Sequence, residues 1–170
     1  MKIAIYAFFV FLVTGLLWTA QSDNHITMTG KNRLKYSLDL ATHDAAQMVN
    51  KEQLSDGFII FDDVEAKRVL EERLKMSLKL NENFNPKEDG LFRSTDQMRL
   101  LLFETVDSGM FPRVYKADVV DAAGQSFQYI DYLYGPSVVA VISIPTPRPY
   151  GISKKYTYFV GSSHEYKANK

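Results

Sequence analysis

The sequence predicts an α+β fold: an N-terminal transmembrane helix, then helices packed on an antiparallel β-sheet. Three observations lead there. The chain opens on MKIAIYAFFVFLVTGLLWTA, in which nothing after Lys2 is charged. In its middle, apolar residues recur at spacings of three and four, the period of an amphipathic helix. In its second half they alternate at period two between turn signals, and eight of the ten tyrosines lie from Tyr115 onward, which favours strands there.

The bulk numbers bound the class of protein. A chain of 170 residues has room for one domain and a short appendage. Twenty basic side chains cancel twenty acidic ones, so the electrostatic footprint of a nucleic-acid binder is missing and no nucleic-acid partner is expected. No cysteine is present, which removes disulfides, thiolate metal sites and cysteine nucleophiles. Nothing in the sequence requires a cofactor.

Residues 3–20 carry no charge, and eighteen helical residues rise about 27 Å, close to the roughly 30 Å of a bilayer's hydrocarbon core. A cleaved signal peptide competes with this anchor, but cutting after Ala20 puts Trp18 three residues before the scissile bond, where a small side chain is preferred. We therefore assign residues 1–22 to a transmembrane anchor, 23–31 to a linker and 32–170 to an extracytoplasmic α+β domain. The bilayer is the expected partner of residues 3–20. Lys2 favours a cytoplasmic amino terminus, and long domains are exported largely regardless of their charge. On that orientation Lys31, Arg33 and Lys35 lie near the phosphates of the outer face, and the protein is a single-pass cell-membrane protein.

QSDNHITMTG, residues 21–30, is polar and partly β-branched and ends in Gly30, the composition of a linker or a weak helix. Beyond it, Leu34, Leu38, Ala41, Ala45 and Met48 recur at steps of four, three, four and three. They form a narrow apolar seam on a helix over residues 32–50, for packing on the chain's own sheet or registering one copy beside another. On that helix Asp39 and His43 stand four apart, within hydrogen-bonding reach; as a lone pair they read as a solvated contact. Residues 58–61, FIIF, read as a short buried strand. Asp62 and Glu65 have the spacing of a capping box, and the helix they open runs to about residue 80. It turns Ala66, Val69 or Leu70, Leu74 and Leu78 inward, with Glu71 and Lys75 paired outside.

Asn81 to Gly90 is loop by composition, and its Asn and acidic residues lack the spacing of a calcium-binding EF-hand. Leu100 to Phe103 fit either the end of a short helix begun near Ser94 or a strand, and residues 99–106 are assigned to a strand. Further strands follow over residues 114–119, 127–134, 138–144 and 156–160, with VVAVISI the most apolar and therefore central. PTPRPYG, residues 145–151, reads as a stiff connection. Tyr129, Tyr132 and Tyr134 are the candidate binding surface, because rigid amphipathic rings suit recognition of a sugar or peptide. The three histidines, His25, His43 and His164, have no metal-ligand spacing, and no nucleophile elbow or phosphate loop is present, so no enzymatic activity is expected.

The anchor IAIYAFFVFLVTGLLW followed by the Leu/Ala helix YSLDLATHDAAQMV resembles the pilin-like plan, in which an N-terminal helix lies half in the membrane and half on a sheet. More loosely it is similar to the small single-span envelope proteins called TadE-like. The Phe-Thr-Leu-Ile-Glu-like start and the glutamate of the apolar segment are not found in this chain. The resemblance implies a non-enzymatic, extracytoplasmic component of a surface assembly, pilus- or secretion-related, whose partners are other envelope proteins or copies of itself. A ligand-binding or sensory ectodomain built on the Tyr-rich sheet is the alternative.

Overall fold

One helix, α1 (Lys2–Ala45), takes up both the apolar run and the Leu/Ala segment without interruption. The computed structural model describes residues 2–92, 95–107, 109–147 and 156–167. At 44 residues, α1 is about 66 Å long. The expected linker over residues 23–31 is replaced by continuous helix. Its β-branched and polar side chains are weak helix formers, but the segment lies between two stronger helical stretches, so each added residue only propagates an existing ladder. Tertiary contact then holds it: Asp23 and Gly30 are buried, and the Tyr158 hydroxyl donates to the Thr27 carbonyl.

Two shorter helices follow. In α2 (Lys51–Ser55) the Asn50 side chain accepts from the amides of Glu52 and Gln53, satisfying donors that the first turn leaves free. Helix α3 (Asp63–Leu78) begins as its sequence demands, with the Asp62 carboxylate accepting from the Glu65 amide at 3.0 Å. Ala66, Leu70, Leu74 and Leu78 form its buried stripe. Lys75 does not pair with Glu71 as expected; it reaches past the helix end to Glu82 at 2.7 Å. Residues 58–61 are not a strand of the sheet. Phe61 forms an isolated bridge with Val49, its amide donates to Asp107, and Phe58 is exposed.

The five strands are β1 (Arg99–Val106), β2 (Arg113–Val120), β3 (Ser126–Leu133), β4 (Ser137–Pro145) and β5 (Thr157–Glu165). They do not make one sheet. An antiparallel sheet of order β1-β4-β5 is separate from the β2-β3 hairpin. The central position of VVAVISI follows from its chemistry, since β4 is buried on both faces. Val138, Ala140, Ile142 and Ile144 join the core shared with α1 and α3, whereas Val139 and Val141 face the hairpin with Val106, Tyr115, Val119, Tyr129 and Leu133. The domain is thus three layers: helices, the β1-β4-β5 sheet, and the hairpin.

The connection over residues 145–151 lies outside the described residues from position 148 onward. Its first part packs on α1: a Cβ built on Gly30 would stand 3.1 Å from Cγ of Pro147. This contact fixes which end of the domain adjoins the apolar half of α1. Pro145 and Thr157 lie at that end, and Ser137, Glu165 and Val106 lie at the other.

Candidate functional site

The chemistry that distinguishes this chain is a single helix with two environments. Along its first half, bulky apolar side chains are bare: Ile3, Phe8, Phe11, Leu16, Leu17 and Trp18 are all exposed. Among the described residues this is the one helix long and apolar enough to cross a membrane, with a mean hydropathy of 2.1 in its most apolar stretch, none of which is buried. Along its second half, Leu34, Leu38, Ala41 and Ala45 are fully buried, and Met48, just past the helix end, packs partly buried against them. The seam is therefore occupied by the chain's own α3, β4 and β5, and its alanines do not face a neighbouring copy.

Polar contacts reinforce this grip. Lys35 Nζ donates to Asp39 at 2.6 Å and to the Gly161 carbonyl at 3.0 Å. Ser162 Oγ donates to Asp39 at 2.6 Å and lies 3.0 Å from Thr42 Oγ1, so the buried Ser162 and Thr42 hydroxyls are satisfied. Arg33 reaches the Ser77 carbonyl at 3.3 Å. Arg33 and Lys35 thus serve the domain and not lipid phosphates, as their sequence position had suggested. Asp39 is likewise committed to Lys35 and Ser162. His43 does not bond to it; the His43 ring instead meets His164 of β5 edge to face, with centroids 5.5 Å apart.

Burial lowers the His164 pKa below the ordinary imidazole value, the neighbouring His43 and the cations Lys35 and Lys167 act in the same sense, and Asp39 opposes them. A histidine depressed in the folded state takes up its proton more readily when unfolded. Its contribution is full above the unfolded value of about 6.5 and is lost progressively as pH falls below that toward the folded pKa. Denaturant titrations of the full chain in detergent between pH 7.5 and 5 are expected to show stability falling with pH. His164→Gln should flatten that slope; an unchanged slope would remove His164 as its source.

The three tyrosines singled out in the sequence do not share a surface. Side chains alternate along β3, so Tyr129 points into the hairpin core at 8% exposure, whereas Tyr132 points outward. Tyr129 donates to Asp131 at 2.6 Å, as does Ser163, and Asp131 also accepts from the Tyr132 amide. Burial raises the Tyr129 pKa, helped by its bond to the Asp131 carboxylate. Tyr115 behaves alike, through burial and its bond to Glu104. Only Tyr132 and Tyr134 remain outside, edge to face at 5.0 Å.

Two features were not legible in the sequence. Gly161 of β5 lies directly beneath the Tyr129 ring, and a Cβ there would fall 2.2 Å from Cδ2. Between α3 and β1 lies a groove of about 700 Å³, lined by Asp63, Val64, Lys67, Arg68 and Glu71 from the helix and Phe103, Glu104 and Thr105 from the strand, with the Thr105 hydroxyl donating to Asp63. No group of three or more His, Asp or Glu side chains among the described residues is arranged to hold a metal ion. No family model, curated protein or solved structure matches this chain.

Proposed function

We propose that the protein is a membrane-anchored, non-enzymatic component of a cell-surface assembly, pilin-like in plan, with α1 crossing the bilayer once and the α+β domain on the extracytoplasmic side. The observation that carries this reading is the division of α1: a bare apolar half that water does not favour, continuous with a half that forms the domain's core. Bare aromatic and aliphatic side chains over 18 residues, with Trp18 at the polar end, match a lipid-spanning helix and its interfacial ring. Direct passage from this half into the buried seam sets the domain against the membrane surface, as a subunit held in a surface structure requires.

Removing residues 2–20 tests the anchor. The shortened chain keeps the whole seam, so it is expected to fold and to appear in the soluble fraction, while the full chain stays with membranes and needs detergent. A full chain that is soluble without detergent sinks the reading. Reporters fused after Leu17 and after Lys170 test orientation; activity of the C-terminal fusion only in the cytoplasm would reverse the topology.

A further inference from the structure

The fold brings together two histidines that lie more than a hundred residues apart in the chain. His43 stands in the last turn of α1 and His164 near the end of β5, with ring centroids 5.5 Å apart and planes at 79°. Buried neighbours set this spacing. One residue earlier on the helix and two earlier on the strand, Thr42 and Ser162 meet hydroxyl to hydroxyl at 3.0 Å, both inaccessible to water. Ser162 and His164 share a face of β5, since side chains alternate, and β5 is held to β4 in unbroken register from Thr157 to Glu165. Neither backbone can drift without breaking the buried contact. At its margin the His164 ring is half-buried and the His43 ring exposed. Among the described residues neither imidazole spends a nitrogen on a hydrogen bond, because Asp39, one turn before His43, is held by Lys35 and Ser162 instead.

We propose that His43 and His164 form a two-imidazole site for a divalent transition-metal ion of the zinc type, with water completing its coordination. Neutral imidazole is the nitrogen donor such ions favour. Two imidazole nitrogens about 2.0–2.1 Å from one tetrahedral ion place their ring centres roughly 5 Å apart, close to the 5.5 Å observed. A turn of the exposed His43 ring then brings one nitrogen of each ring to the ion without moving the backbone. The position also suits a cation, because the last turn of a helix presents unpaired carbonyls and the negative end of its dipole. Asp39 adds negative charge beside the pair. Lys35 is neutralised by that carboxylate at 2.6 Å, and Lys167, the other lysine that acts on His164, is exposed beyond the end of β5. Only the packing of β5 on α1 makes this pair, so no ligand spacing in the sequence announces it. A bound ion would tie the last turn of the long helix directly to the edge strand of the sheet.

The test uses the full chain, carrying no histidine tag, in a non-ionic detergent at pH 7.5 after trace metals are removed, titrated with zinc chloride. Zinc is expected to bind one ion per chain, shifting the ring nitrogen resonances of both His43 and His164 and leaving those of His25 in place. His43→Ala, at an exposed position, and His164→Gln should each weaken binding at least tenfold while the circular dichroism of the domain stays native. Magnesium, which prefers oxygen ligands, should leave all three rings unmoved at the same concentration. No binding at millimolar zinc would overturn the proposal. Shifts confined to one ring, affinity unchanged in His43→Ala, or binding that follows His25 would mean an adventitious ion only, and would overturn it as well. One ion per two chains would do the same, and would assign the histidines to a contact between copies.

Discussion

Gly161→Ala is expected to destabilise the domain by about 1–3 kcal/mol, and Gly161→Val by more, through overpacking. The added Cβ would meet three atoms of the Tyr129 ring, at 2.2, 2.5 and 2.9 Å, where ordinary contact begins at 3.4 Å. The ring has little room to yield. Its hydroxyl is bonded to Asp131, which Ser163 and the Tyr132 amide also hold, and its face is enclosed between β3 and β5. The missing side chain of Gly161 is thus the seat of the Tyr129 ring, and it is how the hairpin docks on the sheet. Denaturant unfolding of the full chain in detergent checks the size of the effect, and a double-mutant cycle checks its cause. With Tyr129 already replaced by alanine, the further cost of Gly161→Ala should fall to a few tenths of a kcal/mol. Costs that simply add would mean the ring is not what the Cβ strikes.

The second large effect contrasts two leucines of one helix. Leu38→Ala removes a fully buried side chain from the layer between α1 and the sheet and is expected to cost about 2–5 kcal/mol, the range for a deleted core leucine. Leu17→Ala makes the same chemical change on the bare half and should leave domain stability within about 0.5 kcal/mol. Unfolding followed by the circular dichroism of the sheet and its tyrosines measures both, since Trp18 reports on the wrong half. Equal effects would contradict the division of α1 into a core half and an unpacked half.

Elements with strong local chemistry could be read from the residues alone. The capping carboxylate of Asp62, the Ala66, Leu70, Leu74 and Leu78 stripe and the central β4 follow from spacing and composition. The seam residues Leu34, Leu38, Ala41 and Ala45 were also visible as a seam, although what covers them was not. What failed was decided by distant partners. Residues 23–30 are poor helix formers made helical by Pro147, Tyr158 and their own helical neighbours, none of which a local window contains. Residues 58–61 have strand chemistry, but Phe61 bridges only Val49 and gives its amide to the Asp107 side chain, far along the chain, in place of a strand ladder. Tyr129, Tyr132 and Tyr134 looked like one cluster because sequence proximity conceals the alternation that sends Tyr129 inward. His43 looked like the partner of Asp39 because the spacing fits, yet Ser162, more than a hundred residues away, takes that carboxylate. The split into a sheet and a separate hairpin has no local signature, since β3 carries the same period-two pattern whether it pairs beside β4 or stacks above it.

Helix α1 contains no proline, and no residue between the apolar half and the domain leaves the helical ladder. Sharp bends in helices need such an interruption, so the joint that would let the head swivel on its stalk is missing. Because successive residues turn about 100° around the axis, the bearing of the domain's faces around α1 is fixed relative to the side chains of the bare half. A sideways pull at the far tip of the domain would then pass along the bare half as the tilt of one stiff rod.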